Sequence, residues 1–218
     1  FTLKILKMSA ATFENTLLVF VKNPIAGKVK TRLGKSIGYP QAAQVYQQLL
    51  AHTKQQILGL KADVQIWYGD FINENDLWSS VGFSKHLQVQ KDLGQRMKNA
   101  IERAFQQGAQ KVVIIGSDCP EITTAILNQA FETLQTKDAV IGPANDGGYY
   151  LLGFSKFHNL FENIAWSTAT VLPQTQAKLE AAQLSYGLLP QLVDLDNLED
   201  LKKFPEYDTQ TRWSHRLP

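Results

Sequence analysis

Cationic side chains are concentrated in one stretch of the sequence, residues 22–35, with the sequence KNPIAGKVKTRLGK. Five of these fourteen positions are Lys or Arg, in a chain with 22 such residues among 218. Lysine and arginine donate charge-assisted hydrogen bonds to phosphate oxygens, and glycine lets backbone N–H groups approach a ligand closely. We therefore expect this basic loop to bind a polyphosphate. The expected phosphate-binding residues are Lys22, Pro24, Gly27, Lys28, Lys30 and Arg32.

The basic loop matches neither of two common nucleotide-binding motifs, the P-loop G-x-x-x-x-G-K-[ST] and the dinucleotide fingerprint G-x-G-x-x-G. A solvated loop on a near-neutral protein is the alternative interpretation, but the density of cations favours phosphate binding. Exposed loop cations contribute little to stability. We therefore expect replacement of Lys30 or Arg32 to weaken nucleotide binding and to leave the fold intact.

Asp118 follows a strongly hydrophobic run, KVVIIG at residues 111–116, and lies two residues before Pro120. A carboxylate at the end of a buried central strand is a good ligand for a hard cation such as Mg²⁺ or Mn²⁺. Magnesium needs only one or two protein carboxylates when phosphate oxygens complete its octahedron. The alternative is that Asp118 caps the helix predicted from Thr123 onward.

Further carboxylates follow later predicted strands. Asp146, in the turn NDGG at residues 145–148, is the candidate for a second metal ligand, although a plain Asp-Gly turn explains it equally well. Asp194 and Asp196 end the last predicted strand. The spacing of Asp196 and Glu199 is typical of a capping box, which favours a structural role, and a metal role for Asp194 is the alternative.

A second candidate nucleotide contact precedes a predicted helix, in the sequence DLGQR at residues 92–96. Gly94 lets a base or ribose approach the bare backbone, and Arg96 then faces a phosphate. The alternative is an ordinary helix start in which Asp92 is the cap.

Elements that would position these residues follow from the hydrophobic pattern. Predicted strands lie at residues 16–22, 64–68, 87–90, 111–116, 139–142, 149–154 and 188–195. Predicted helices lie at residues 40–60, 94–107, 123–134 and 169–182. This alternation predicts an α/β fold, a mostly parallel sheet covered by helices. Ligands of such sheets bind outside the carboxyl ends of the strands, where the candidate residues lie.

The net charge, the hydropathy pattern and the cysteine count argue against several other classes of protein. The net charge of +2 gives no global field of the kind that marks nucleic-acid-binding or membrane-binding proteins, so neither partner is expected. No apolar run reaches the length of a membrane helix. The single Cys119 excludes an internal disulfide, which favours the cytoplasm. We expect one domain at residues 16–218 after a leader at residues 1–15, with Met8 as a candidate natural start.

Four linked motifs resemble those of an uncharacterised bacterial family in the GT-A superfamily of nucleotide-diphospho-sugar transferases, usually labelled glycosyltransferase-like. They are KNPxxGxVKTRL, DLGQRM, GSDCP and GPANDGGYYLLG, and the resemblance covers residues 16–203. The chain is also distantly similar to the guanylyltransferases of molybdenum-cofactor and coenzyme F420 biosynthesis. The resemblance implies a single-domain, GT-A-like (Rossmann-like) fold.

The resemblance also assigns expected roles to residues. The superfamily places a D-x-D or single-Asp metal site at the position of Asp118. This sequence departs from D-x-D because Ser117 precedes Asp118 and Pro120 follows at the second carboxylate position. A second ligand must therefore come from elsewhere. The segment after the predicted strand 149–154 suggests an acceptor pocket. Its expected residues are Trp166, Ser167 and Thr168, with Tyr149 beside them, although paired tyrosines on a strand are commonly packing residues.

The function implied by the resemblance is that of a transferase dependent on Mg²⁺ or Mn²⁺. It moves a glycosyl group from a nucleotide sugar to a small acceptor, and Asp118, Lys30 and Arg32 carry the chemistry. Nucleotidylyl transfer from a nucleoside triphosphate is the alternative, since the same loop and metal serve both reactions. A nucleotide-binding regulator without catalysis is a third hypothesis, and the acidic residues Asp118 and Asp146 count against it.

Overall fold

Strands and helices alternate along the chain in the computed structural model, which describes residues 14–89 and 92–208. Of the predicted leader, residues 1–13 lie outside this described part. The strands are β1 (Asn15–Val21), β2 (Asp63–Tyr68), β3 (Ser84–Leu87), β4 (Lys111–Ile115), β5 (Ala139–Pro143), β6 (Tyr149–Phe154) and β7 (Tyr186–Leu188). The helices are α1 (Thr31–Ile37), α2 (Tyr39–Ile57), α3 (Leu93–Gln106), α4 (Thr124–Thr133), α5 (Val171–Ala181) and α6 (Leu198–Lys203).

Within the described part of the chain, the strands form one seven-stranded sheet with the order β3-β2-β1-β4-β6-β5-β7. Only β6 runs against its neighbours, because the short turn after β5 folds the chain back as a hairpin. The predicted single-domain α/β fold with a mostly parallel sheet is therefore confirmed. β1 and β4 pair in the centre, with Val19 opposite Ile115. The basic loop and Asp118, which follow these two strands, consequently leave the sheet side by side.

Both faces of the sheet are buried, which explains why its central strands are continuous hydrophobic runs. Successive side chains of a strand point to opposite faces. Leu17 and Val19 of β1 accordingly pack with α1, α2 and α4, whereas Leu18 packs with α3 and α5 on the other face. All three side chains have no exposed surface. Among the described helices, none has the length and apolar character that crossing a membrane requires.

The last strand is expected at residues 188–195, and these bounds are wrong. Strand β7 ends at Leu188, and Leu192 then forms only an isolated bridge with Ala144. Pro190 has no N–H to donate to a continuing ladder. The chain instead runs across the carboxyl edge of the sheet, where the N–H of Leu195 donates to the carbonyl of Asp118 at 3.0 Å. This path brings Asp194 and Asp196 to the edge that Asp118 occupies.

Three other local predictions are corrected. The second half of the basic loop forms helix α1, and strand β3 lies three residues earlier than expected. The capping box of α6 is formed by Asn197 and Asp200, one residue later than the predicted pair Asp196 and Glu199. Because Asn197 is the cap, the carboxylate of Asp196 is free to bind other groups.

Candidate functional site

A cleft of about 610 Å³ opens at the carboxyl edge of the sheet, within the size range of small-molecule sites. The basic loop, the end of β4, the first turn of α3 and the segment after β7 contribute its walls. Its charged lining residues are Lys22, Lys28, Lys30, Arg32, Arg96, Asp118, Asp194 and Asp196. The structure thus brings together cations and carboxylates that are distant in sequence.

Lys30 is buried in this cleft, contrary to the expectation of an exposed loop cation. Its side chain is 3% exposed, and its Nζ lies 2.8 Å from Asp118 Oδ1 and 3.0 Å from Asp196 Oδ1. Burial lowers the pKa of Lys30, but the two carboxylates outweigh it and hold the pKa above its ordinary value. The ammonium is therefore charged, and we expect replacement of Lys30 to lower stability, contrary to the expectation of an intact fold.

Arg32 lies at the mouth of the cleft, with 67% of its side chain exposed. Its guanidinium donates to Asp196 Oδ2, so Asp196 binds two cations of the basic loop at once. Lys22 and Lys28 also line the cleft, whereas Pro24 and Gly27 do not and belong to the turn that shapes the loop. Gly27 has φ +77°, which suits glycine.

Asp118 does not cap the helix that follows it. The cap of α4 is Thr123, whose hydroxyl accepts the N–H of Ile126. The side chain of Asp118 is 47% exposed and lines the cleft beside Lys30. The helix-cap interpretation is therefore wrong, and the carboxylate is available to a ligand.

Asp146 lies outside the cleft lining, and its Oδ1 accepts the N–H of Gly148 at 2.9 Å within its own turn. The structure therefore favours the turn interpretation over the metal ligand. Asp194, the alternative from the sequence, lines the cleft instead. Burial, followed by the negative charge of Asp118, raises the pKa of Asp194 from 3.8 to about 7, with Lys30 opposing the shift. The two carboxylates are thus close enough to repel.

Such a pair of carboxylates fits a hard divalent cation. Repulsion between Asp118 and Asp194 is relieved by a positive ion, and all the donors are oxygen atoms, as Mg²⁺ and Mn²⁺ prefer. Within residues 14–89 and 92–208, no three His, Cys, Asp or Glu side chains form a metal-binding group. A cation held by Asp118 and Asp194 would therefore need phosphate oxygens and water to complete its coordination.

A network missed by the sequence analysis ties the two central loops together. The hydroxyl of Tyr46, on α2, accepts the backbone N–H of Lys22 at 3.0 Å and lies 2.8 Å from Ser117 Oγ. Tyr46 and Ser117 are buried, and both line the cleft. Nothing in the local sequence distinguishes Tyr46 from a packing tyrosine of an amphipathic helix, so only the fold identifies it.

Gly94 is correctly placed near the cleft, but its expected role is contradicted. A Cβ at this position would lie 2.3 Å from Nε1 of Trp166, so the missing side chain makes room for Trp166 and not for a base. Trp166 in turn stacks on Phe161, with ring centroids 6.3 Å apart. The expected cap is found, since Asp92 accepts the N–H of Gln95.

The expected acceptor residues separate into two groups. Tyr149 and Ser167 line the cleft, whereas Trp166 and Thr168 do not. Trp166 packs on α3 as described, and the hydroxyl of Thr168 donates to the carbonyl of Ala165 at 2.7 Å. Trp166 and Thr168 thus hold the segment that presents Ser167.

Comparison with known proteins supports this description of the fold. Residues 49–168 match the family model described as "Uncharacterized protein conserved in bacteria (DUF2064)". A crystal structure from Desulfovibrio desulfuricans G20, provisionally designated a nucleotide-diphospho-sugar transferase, is 36% identical, with 93% of this chain and 90% of that chain covered and a TM-score of 0.82. These matches confirm the resemblance inferred from the motifs. A comparison with curated protein sequences gives no significant match.

Two more distant structures share the fold. CMP:2-keto-3-deoxy-manno-octonic acid synthetase complexed with CTP is 9% identical, with 90% of this chain and 99% of that chain covered and a TM-score of 0.52. Rv0371c of Mycobacterium tuberculosis H37Rv complexed with manganese is 14% identical, with 88% of this chain and 98% of that chain covered and a TM-score of 0.50. At these identities the likeness concerns the fold alone.

Proposed function

This chain belongs to the DUF2064 family of proteins conserved in bacteria, and from that premise we propose that it is a metal-dependent transferase with a nucleotide donor. One observation carries the proposal. Cations of the basic loop and the carboxylates Asp118, Asp194 and Asp196 line the same cleft at the carboxyl edge of the sheet. A polyphosphate and a divalent cation together satisfy both sets of charges.

In this proposal Asp118 and Asp194 hold the cation. When bound, it neutralises phosphate oxygens and stabilises the charge of the leaving group. Lys28 and Arg32 lie where they can donate to the same phosphates, and their charge offsets the negative charge that develops as the bond breaks. Ser167 and Tyr149 line the wall on which we place the acceptor.

Glycosyl transfer is the first reaction that we propose. An acceptor oxygen attacks the anomeric carbon of a nucleotide sugar, loses its proton to solvent or a base, and releases a nucleoside diphosphate. The provisional designation of the 36% identical structure favours this reaction.

Nucleotidylyl transfer is the second reaction. An acceptor oxygen attacks the α-phosphorus of a nucleoside triphosphate, and pyrophosphate leaves. The five cationic side chains that line the cleft favour a donor with three phosphates, and a related fold binds CTP.

Product analysis distinguishes these reactions. The protein is incubated with Mg²⁺, a bacterial metabolite extract as acceptor source, and either nucleotide sugars or nucleoside triphosphates. Phosphorus NMR then identifies the leaving group. Nucleoside diphosphate indicates glycosyl transfer, and pyrophosphate indicates nucleotidylyl transfer. Nucleotide binding without turnover of any donor would instead support the regulator hypothesis.

The variant Asp118→Asn tests the site itself. We expect turnover to fall by at least about a hundredfold, the usual cost of losing a group that stabilises transition-state charge. Lys30 keeps Asp196 as its partner, so the variant should fold, with a modest loss of melting temperature. Asp146→Asn is the matched control, since Asp146 lies outside the cleft lining and asparagine suits its turn. Full turnover in a folded Asp118→Asn protein would overturn the proposed function.

A further inference from the structure

The ammonium group of Lys30 lies between two carboxylates from distant parts of the chain, Asp118 at 2.8 Å and Asp196 at 3.0 Å. Only 3% of the Lys30 side chain is exposed. Its backbone is left-handed, with φ 45° and ψ 44°, a conformation that is uncommon for residues with a side chain. Backbone strain of this kind persists where surrounding contacts fix it. The two ion pairs therefore hold Lys30 in a defined place.

Asp118, in contrast, faces the cleft with 47% of its side chain exposed. A divalent cation can reach this carboxylate, but it would share Asp118 with the ammonium of Lys30. Two positive charges beside one carboxylate repel each other, and the repulsion is strong where water screens poorly. Lys30 thus lowers the attraction of Asp118 for a free cation. Phosphate groups of a donor bring additional negative charge, which offsets this effect.

We propose that Lys30 sets the order of binding at this site. By neutralising Asp118 and Asp196 it keeps the affinity for a free divalent cation low, so the cation is retained only together with phosphate groups. The inference rests on the proposed function, in which Asp118 holds the cation. The protein without a donor is then largely free of metal, and the metal enters with the nucleotide.

Binding of Mn²⁺ tests this order, because the EPR signal of free Mn²⁺ reports its dissociation constant. The measurement is made with and without inorganic pyrophosphate, on the wild type and on two variants, and each mixture is compared with the same mixture without protein because pyrophosphate itself binds Mn²⁺. Metal retained by the protein is then counted after separation of the protein from the small molecules by gel filtration. Lys30→Met removes the ammonium and keeps an unbranched side chain. Lys35→Met is the matched control, since it removes an exposed lysine from the same region of α1.

We expect Lys30→Met to bind Mn²⁺ alone about tenfold more tightly than the wild type, which lies within the usual range of coupling between linked sites. Lys35→Met should bind Mn²⁺ like the wild type. Pyrophosphate should strengthen Mn²⁺ retention strongly in the wild type and much less in Lys30→Met, because only the wild type needs the added negative charge.

Thermal stability is a second readout that does not depend on turnover. Loss of Lys30 leaves Asp118 and Asp196 to repel, so Lys30→Met should melt at a lower temperature than the wild type. A bound cation replaces the lost charge, so Mn²⁺ should raise the melting temperature of Lys30→Met by several degrees more than that of the wild type. Lys30→Gln, a second neutral variant, should behave in the same way.

Equal Mn²⁺ affinities in the wild type and Lys30→Met, or equal thermal shifts, would overturn the proposed order and leave the proposed function intact. Failure of both neutral variants to fold even with Mn²⁺ would also overturn it, since the cation should substitute for the ammonium. A wild type that binds no Mn²⁺ even with pyrophosphate would overturn the proposed metal site, and the order of binding with it.

Discussion

Asp194 is partly buried near Asp118, Asp196 and Lys30, and its pKa is raised from 3.8 to about 7, chiefly by loss of solvation and then by the charge of Asp118. The folded protein therefore binds a proton at Asp194 more tightly than the unfolded chain does. Ionisation of Asp194 consequently lowers the free energy of unfolding as pH rises from about 4 to about 7. Below about pH 4, Asp194 is protonated in both states and does not change the free energy of unfolding. Above about pH 7, it lowers the free energy of unfolding by its full amount.

Asp194→Asn removes this titration, because the amide keeps the shape of the side chain and cannot ionise. In the ligand-free protein we expect the melting temperature of the variant, relative to wild type, to rise by several degrees between pH 4.5 and pH 8. A domain of this size gains about 2–4 °C for each kcal/mol. Differential scanning calorimetry across that pH range checks the expectation.

The same variant should lose metal-dependent nucleotide binding, since Asp194 is the proposed second ligand. Asp146→Asn, whose exposed carboxylate contributes least to the raised pKa of Asp194, should change the pH profile far less and leave the binding unchanged. A pH profile of Asp194→Asn that runs parallel to the wild-type profile would contradict the burial and charge assigned to Asp194.

At the scale of elements, α2 connects the two loops that form the cleft. Its Tyr46 hydroxyl accepts from the N–H of Lys22, where the basic loop begins, and pairs with Ser117, the neighbour of Asp118. Burial raises the pKa of Tyr46, with the charge of Asp118 adding to the effect, so the phenol is neutral. One hydroxyl thus fixes the ends of β1 and β4 relative to each other.

Tyr46→Phe leaves the N–H of Lys22 and the hydroxyl of Ser117 without this partner. A buried polar group that loses its partner costs about 1–3 kcal/mol. We expect a melting temperature lower by several degrees, together with weaker nucleotide binding, because the basic loop and Asp118 lose their common support. Thermal melts and isothermal titration calorimetry with nucleotide and Mg²⁺ measure both effects.

Tyr186→Phe is the control. Tyr186 lies on edge strand β7, away from the cleft, and its hydroxyl donates to the carboxylate of Glu180 at 3.2 Å. Its affinity for nucleotide should equal that of the wild type. If Tyr46→Phe loses stability and keeps full affinity, the tyrosine stabilises the fold without positioning the site.

At the scale of the whole molecule, the cleft holds an excess of positive charge. Among the described residues, five cationic and three acidic side chains line it, a formal excess of +2 in a chain whose net charge is +2. A potential confined to one cleft attracts a small polyanion and gives little attraction to a long nucleic acid. This distribution agrees with a nucleotide as the ligand.

Ligand-linked stability tests this view on the intact protein. A nucleotide at about a hundred times its dissociation constant stabilises the folded state by about 2.7 kcal/mol, which corresponds to a shift of roughly 5–10 °C. We expect that shift with Mg²⁺ or Mn²⁺ present and a much smaller one in EDTA, because phosphate and carboxylates share the cation. A nucleoside without phosphates should give little shift. Shifts of equal size with and without EDTA would contradict the metal-dependent site.

Local patterns in the sequence determined the α/β class, the central strands and the two loops that follow β1 and β4. Hydrophobic runs and turn residues determine the secondary structure of their own segment of the chain. The carboxyl ends of adjacent parallel strands then lie at the same edge of the sheet. The expectations for the basic loop and for Asp118 as residues of one sheet edge follow from that geometry, and the structure places both at the cleft.

Only the tertiary structure decided which residues complete the cleft. Lys30 and Asp196 are 166 positions apart, and no local pattern shows that the chain after β7 crosses the carboxyl edge of the sheet. The burial of Lys30 and the contact of Gly94 with Trp166 likewise depend on packing between distant segments. A side chain's charge and size are properties of its own residue, whereas its burial and its partners are set by the whole fold.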